Sequence, residues 1–451
     1  MTSESVNERF HRMLLTGVQR LRGRPLGAHI RTLQQWERLD PPAFRQLRAE
    51  RLANILAYAK KRVPLYSSSA WSQASGRNGA EGLETWPVLE REVIQSSSED
   101  LLAIPTPRGH YVRRTAGSTG AAVGVAMDGA AAAWAWATDY RGLLWHGIPV
   151  GARCLYVYRQ RENPMAEWIR NRHTLLTSDL SPARLTEAVT HLQTNRPAYV
   201  SGYVSAVAEL ARHAKLVARQ VSQPLVPFVK VFGEMLHKFQ RHEIEQGFGA
   251  RVIETYGCSE TGTVAYECPS GSLHIFSEHV EVEILRDGKP VEPGETGDIV
   301  LTCTTNRVMP LVRYRVGDRG RLSPEPCPCG RPHPSIAGIE GRVGDVLFTS
   351  AGTPVHGTSL GDLLKGVTAR APTAIGRVLF QQEDLHTWTV LVQAGPGFSE
   401  SVGALLIDGV QAIFGKDCRV TVKVVPEIRR ELSGKFRFYR GASSRGSLAR
   451  L

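Results

Sequence analysis

The 451 residues are 42% hydrophobic and 22% charged, with 43 Gly and 26 Pro, which excludes a collagen-like or wholly disordered polymer and leaves room for two or three domains. The formal net charge is +12, but the excess lies at the ends: residues 1–62 hold thirteen Lys/Arg against five Asp/Glu, residues 419–451 hold nine against two, and the stretch between is slightly acidic. No basic groove with interleaved aromatics is written into the body, so no nucleic-acid partner is expected. The most apolar run, 121–138, is rich in Ala and Gly and interrupted by Asp128, which falls short of a membrane span. The opening MTSESVNERFHRMLLTG lacks the apolar core and cleavage site of a secretory signal, and seven cysteines at irregular spacing do not form a disulfide framework; a cytoplasmic protein is expected.

In chain order, residues 5–62 carry helical periodicity, with Leu47, Leu52, Ile55 and Leu56 recurring among Arg and Glu, and Pro64 closes the segment. Residues 1–70 therefore read as a helical preamble. From Tyr111 to Ile299, short runs such as CLYVY (154–158) and FVKVF (228–232) alternate with helix-like stretches such as 183–193 and 203–221. That alternation predicts βαβ units around a largely parallel sheet. Residues 280–302 predict two alternating strands, VEVEIL and GDIVLT, joined by RDGKPVEPGETG with its Asp-Gly and Pro-Gly turn signals; a β-rich subdomain is expected to close the first body. After GRVGD (341–345) a compact mixed segment leads to a basic, Ser-rich tail, which is expected to be mobile. The fold class is α/β, and no internal repeat is present.

Four motifs offer chemistry. Thr115, Gly117, Ser118, Thr119 and Gly120 follow the strand-like HYVRR; glycines among hydroxyl residues let the backbone approach a phosphate, although alone they read equally as a turn entering an Ala-rich helix. Gly233 and Glu234 follow a buried-looking strand and precede Glu254–Gly262 (ETYGCSETG), where Tyr256 offers a face for a base and Glu260 a hard ligand for Mg²⁺. Asp318 in VRYRVGD suits ribose hydroxyls, or is a plain Gly-Asp turn. Lys435, one of ten lysines, sits on a Gly-containing turn in LSGKFR, where a cation meets charge developing on a transferred group.

The order of these motifs, with GRVGD and the terminal Gly-Lys, resembles the adenylate-forming superfamily of acyl-CoA synthetases and adenylation domains. Within it the chain looks like the phenylacetate-CoA ligase branch, through KKRVPLY, WPVLEREVI, SGYVSAVAELA, VFGEML, ETYGCSETG, MPLVRYRVGD and CPCGRPHP, over roughly residues 40–440. The resemblance implies a large multi-subdomain N-terminal adenylation domain (1–341) with mostly parallel sheets, a small α+β C-terminal lid (342–440) that swivels between two half-reactions, and a disordered basic tail (441–451). It implies an ATP- and Mg²⁺-dependent, AMP-forming ligase that makes an acyl-adenylate from a small aryl or arylalkyl carboxylic acid and transfers the acyl group to coenzyme A. An amine or carrier-protein thiol is an alternative acceptor, a non-catalytic nucleotide-binding regulatory protein is the reading from another class, and a homodimer is compatible with either. On the matching positions, Thr115, Gly117, Ser118, Thr119 and Gly120 would cradle phosphate, and Gly233, Glu234, Tyr256, Gly257 and Ser259 would line the ATP/AMP site. Glu260 would hold Mg²⁺, Asp318 the ribose, and Arg342 ribose or phosphate. Lys435 would bridge carboxylate and α-phosphate.

Three positions depart from the family pattern: Ala121 where many relatives carry Lys, Gly344 at the hinge position, and SAGTPVHG without an Arg-Gly pattern. Cys268, His274, Cys327 and Cys329 suit a structural tetrahedral Zn²⁺, with His333 as a competing ligand and ordinary buried thiols as the plain reading. Trp134, Trp136, Tyr140 and Trp145 at helical spacing read as a core-packed face, with an aromatic-lined acid pocket as the alternative.

Overall fold

A computed structural model describes residues 5–68, 71, 82–114, 123–217, 223–342, 347–355, 357–431 and 434–441. The preamble is three helices, α1 (Val6–Leu21), α2 (Leu26–Trp36) and α3 (Pro41–Arg62), followed by a short α4 (Pro64–Ser67). Ser5 and Glu8 form a reciprocal capping box on α1, and Asp40 caps α3 by accepting from Ala43 N. Pro64 therefore starts a new turn after α3 has ended. The preamble is anchored by its apolar side: Leu15, Leu26, Ile30 and Leu33 form one buried cluster with Ala137 and Val150 of the body.

The body continues through α5 (Arg91–Ser96), β1 (Tyr111–Arg114), β2 (Gly124–Met127), α6 (Gly129–Trp145), β3 (Cys154–Tyr158), α7 (Pro164–Ile169), β4 (Arg172–Leu176), α8 (Pro182–Asn195), β5 (Tyr199–Tyr203), α9 (Val204–Val217), β6 (Phe228–Phe232), α10 (Lys238–Phe248) and β7 (Arg251–Cys258). Next come β8 (Gly262–Glu267), β9 (Leu273–Ile275), β10 (Val280–Arg286), β11 (Lys289–Pro290), β12 (Gly297–Cys303), β13 (Tyr314–Leu322) and β14 (Ser335–Arg342). The twelve strands from β3 to β14 form one sheet, ordered β11-β10-β12-β13-β14-β9-β8-β7-β6-β5-β3-β4. From β4 to β7 it is parallel, as the strand and helix alternation predicts, and beyond β7 it is antiparallel. The β-rich part is thus an extension of the first sheet. The joint is β7, whose first half pairs parallel with β6 and whose second half pairs antiparallel with β8. The expected turn at the end of β10 is a two-residue Asp287-Gly288 loop with φ of +53° and +76°, the pattern of a type I′ hairpin.

A second apolar core, centred on Leu360, Phe380, Trp388, Leu406 and Phe414, belongs to the C-terminal segment. That segment comprises β15 (Leu347–Phe348), β16 (Pro354–Val355), α11 (Thr358–Arg370), β17 (Ile375–Gln382), β18 (Thr387–Ala394), α12 (Glu400–Phe414), β19 (Arg419–Val424) and β20 (Tyr439–Arg440). Its four-stranded sheet runs β19-β18-β17-β20. No helix among the described residues is long and apolar enough to cross a membrane.

The large body buries a charge cluster. Arg141 and Glu278 are fully enclosed and ion-paired, and His333 Nε2 lies 3.2 Å from the second oxygen of Glu278. Burial pushes the Glu278 carboxyl up, but Arg141 and His333 outweigh it and hold the group well below the usual carboxylate range. Removing one partner of such a pair strands the other in low dielectric, a loss of about 3–5 kcal/mol. Glu278→Ala is therefore expected to lower the thermal unfolding midpoint of the large body markedly; an unchanged midpoint would contradict the assignment.

Candidate active site

Two cavities meet where the small body touches the large one. The first, about 880 Å³, lies over the C-terminal end of β7 and is lined by Glu254, Tyr256, Asp318 and residues of the small body; the second, about 540 Å³, lies between α6 and the parallel strands. Gly233, Thr255, Tyr256, Gly257 and Lys435 line both. A cavity at the carboxyl ends of parallel strands is the usual ligand crevice of open α/β sheets.

The large body contributes most of the predicted residues. Tyr256, on the antiparallel half of β7, donates its hydroxyl to Asp318 Oδ2 at 2.9 Å, which orients that carboxylate from β13. Arg342 stands opposite Asp318 in the β13–β14 register. Gly257 and Ser259 border the second cavity with Glu260, which is 7% exposed, accepts from Tyr314 Oη at 3.1 Å and has Arg91 Nη1 at 3.7 Å. Glu234 borders the first cavity, but its carboxylate accepts from Ser205 N (2.7 Å), Ser205 Oγ (3.0 Å) and Phe436 N (2.6 Å). Burial raises its pKa.

Lys435 reaches the junction on a tight turn closed by Gly434 N to Glu431 O and Glu431 N to Lys435 O. Gly434 has φ +78°, and a Cβ there would sit 2.7 Å from Thr177 Oγ1 and 2.8 Å from Arg159 Cβ, so only glycine lets the turn insert this far. Gly233 has φ +77°, and a Cβ on it would stand 3.1 Å from the Tyr203 ring and 3.4 Å from Lys435 Cε. The turn is docked by charge. Glu209 on α9 accepts from Arg377 Nη2 at 3.0 Å and from Arg430 Nη2 at 2.8 Å, while Arg430 Nη1 donates to Ser205 Oγ.

Among the second cavity's aromatic lining residues are Tyr156, Tyr158, Tyr203 and Phe232. The aromatic residues of α6 divide between the two expectations: Trp136 and Tyr140 line this cavity, whereas Trp134 stacks on His29 and Trp36, and Trp145 packs against Tyr266 and Phe276.

At a separate place the ligand atoms of Cys268, His274, Cys327 and Cys329 lie within 4.8 Å of one another. Cys268 Sγ is 3.7 Å from Cys327 Sγ, and His274 Nε2 is 3.1 Å from Cys329 Sγ. The His274 Nδ1–H donates to the His333 carbonyl at 2.9 Å, which turns Nε2 toward the sulfurs. The His333 ring is committed to Glu278 and stays outside the cluster.

Residues 115–122, with the expected phosphate loop, lie outside the described residues, as do Gly344, Leu432, Ser433 and 442–451. The sequence reading did not single out Glu209, Arg377 and Arg430, whose separation along the chain hides their meeting. Nor did it single out Lys230, although a lysine in the middle of FVKVF is a legible signal: it breaks an otherwise apolar buried strand.

No protein-family model matches the chain. A phenylacetate-coenzyme A ligase of Thermus thermophilus is 26% identical over 368 residues, 74% of this chain and 78% of that protein. A phenylacetate-coenzyme A ligase of Escherichia coli is 35% identical over 127 residues, 27% of this chain and 28% of that protein. Among solved structures, a 2-hydroxyisobutyryl-CoA ligase in the postadenylation state superposes with a TM-score of 0.72 at 18% identity, covering 90% of this chain and 91% of that one. The fold is that of the adenylate-forming acyl-CoA ligases. In sequence the chain is similar to phenylacetate-coenzyme A ligases.

Glu254 supplies a pH-dependent element of the first cavity. Burial pushes its carboxyl up to about 7, with Arg241 opposing and Glu267 adding to the shift. A raised carboxyl pKa means that the folded state holds the proton more tightly, so this stabilisation is complete below the unfolded value of 4.5 and is lost as pH rises through about 7. Thermal midpoints of wild type are expected to fall relative to those of Glu254→Gln between these pH values; parallel curves would refute the shift.

Proposed function

We propose that the chain is an ATP-dependent, AMP-forming carboxylate-CoA ligase acting on an aryl or arylalkyl acid, with residues 1–341 as the adenylation domain and 342–440 as its lid. The observation that carries this reading is Lys435 at the junction of a polar cavity containing Tyr256 and Asp318 and an aromatic cavity. Homology to phenylacetate-coenzyme A ligases supports it.

In this reading the first cavity takes the nucleotide, with Asp318, oriented by Tyr256, accepting from the ribose hydroxyls, and Arg342 near the ribose or phosphate. Thr115, Gly117, Ser118, Thr119 and Gly120 cradle the phosphates. The acid enters the second cavity, and its carboxylate oxygen attacks the α-phosphorus as pyrophosphate leaves. Lys435 places one positive charge between the two reactants, offsetting their repulsion and the charge that develops on the transferred group. A thiol of coenzyme A then adds to the acyl carbonyl, AMP leaves, and the thiol proton passes to solvent. No protein nucleophile takes part.

Glu260 is the residue suited to Mg²⁺: a single near-buried carboxylate beside phosphate is a common holder of this ion, which supplies charge neutralisation to the phosphates when bound. Arg91 and Tyr314 keep that carboxylate aimed. The Cys268, His274, Cys327 and Cys329 set suits structural Zn²⁺, because donors about 2.0–2.3 Å from a tetrahedral ion stand roughly 3.5 Å apart, close to the separations observed. Four protein ligands leave no open position for catalysis. Seven cysteines outside any disulfide, three of them in that set, support a cytoplasmic setting.

The reading is tested by acid-dependent exchange of labelled pyrophosphate into ATP, followed by acceptor assays with coenzyme A, amines and carrier-protein thiols. Exchange with aryl or arylalkyl acids and thioester formation with coenzyme A are expected. Absence of exchange in protein that binds ATP would favour the non-catalytic reading, and an amine or carrier product would replace coenzyme A. Elemental analysis is expected to find about one zinc per chain, lost in Cys327→Ser with a lower unfolding midpoint; zinc-free, equally stable wild-type protein would refute the metal.

A further inference from the structure

The face of the parallel sheet turned toward α6 carries an unusual row. Tyr156, Ser201 and Lys230 are direct neighbours across β3, β5 and β6, and all three line the 540 Å³ cavity. Strands of a parallel sheet covered on both faces are ordinarily apolar throughout, yet Ser201 is 2% and Lys230 7% exposed. Lys230 Nζ donates to both oxygens of Asp139 on α6, each at 2.7 Å, and Thr263 Oγ1 approaches the same carboxylate at 3.4 Å. Ser201 Oγ has no hydrogen-bond partner among the described residues. A buried hydroxyl left in that state is destabilising, and adjacent strands set it about 4.8 Å from the Lys230 backbone.

We propose that Ser201, with the Lys230–Asp139 pair, receives a hydroxyl on the ring of the acid substrate, at the end remote from the carboxylate. The inference rests on the reading that this cavity holds the acid. The chemistry selects among substituents. Lys230 is already neutralised by Asp139, and Arg170 and Arg172, which also line this cavity, are already paired with Glu162 and Glu167, so a second full negative charge would compete with those pairs, and an amine would compete with Lys230 for Asp139. A neutral hydroxyl accepts from the lysine or the serine and donates to the serine or the carboxylate, satisfying the orphaned group without adding charge. Length agrees. Gly233, beside Lys435, follows Lys230 by three residues, roughly 10 Å along an extended strand, which matches one aromatic ring with a short linker and its two polar ends. The ring itself lies among Tyr158, Tyr203 and Phe232 of the layer above.

The test compares pairs of arylalkyl acids that differ only in a ring hydroxyl remote from the carboxylate, by kcat/KM for pyrophosphate exchange in wild type and in Ser201→Ala. The expected result is a preference of at least about 100-fold for the hydroxylated acid in wild type, since a site built to bond a hydroxyl leaves its own groups unpaired with the analogue. That ratio should shrink about tenfold or more in Ser201→Ala. Equal kcat/KM for the two acids in wild type, or a ratio untouched by Ser201→Ala, would overturn the inference while exchange itself upholds the adenylating function. No exchange with any acid would overturn both.

Discussion

Glu209 and Glu234 hold the small body where Lys435 reaches both cavities, and the rest of the site depends on that docking. Glu209 takes two guanidinium groups, Arg377 and Arg430, and Glu234 takes the backbone of Phe436 next to Lys435 itself. These contacts are partly exposed, so each contributes on the order of 1 kcal/mol. A few such bonds bias a two-state equilibrium without locking it, which suits the proposal that the small body acts as a lid leaving between half-reactions. Glu234 shows how closely the two bodies are coupled, because the same carboxylate satisfies the start of α9 through Ser205.

In the proposed reading the large body is the stage against which the small body moves. β7 changes from parallel to antiparallel pairing along its length, and the residues at that change, Thr255 to Gly257, line both cavities. A single strand thus fixes the distance between the two cavities proposed for nucleotide and acid. The buried Arg141, Glu278 and His333 cluster packs beneath the antiparallel half, and the His333 carbonyl also orients His274 for the thiol cluster. Stability of the sheet and the aim of the candidate zinc ligands are therefore coupled through one residue.

Much of this was legible from residue order. Cys154–Tyr158 and Phe228–Phe232 begin and end as strands where the β-branched runs do, because parallel strands buried on both faces announce themselves as short apolar blocks bounded by polar turns. Continuity of the sheet through β7 was not legible, since register across a change of direction depends on pairing between distant segments. The aromatic face of α6 could not be resolved from spacing alone: Trp134 and Trp136 are two residues apart and both touch the preamble, yet Trp136 also lines the cavity whereas Trp134 stacks on His29 and Trp36. Docking by Glu209 escaped for the same reason, as an exposed-looking helical glutamate gains its meaning only from arginines about 170 and 220 residues away.

The central claim is that Lys435 serves adenylation from a docked lid and is not needed to transfer the acyl group. It is tested most directly by measuring the two half-reactions separately in Lys435→Ala, with ATP binding as the control. The account predicts that adenylate formation is lost, that ATP still binds, and that supplied acyl-adenylate is converted to the thioester at a near wild-type rate. Equal loss of both half-reactions, or retention of adenylate formation, would contradict it.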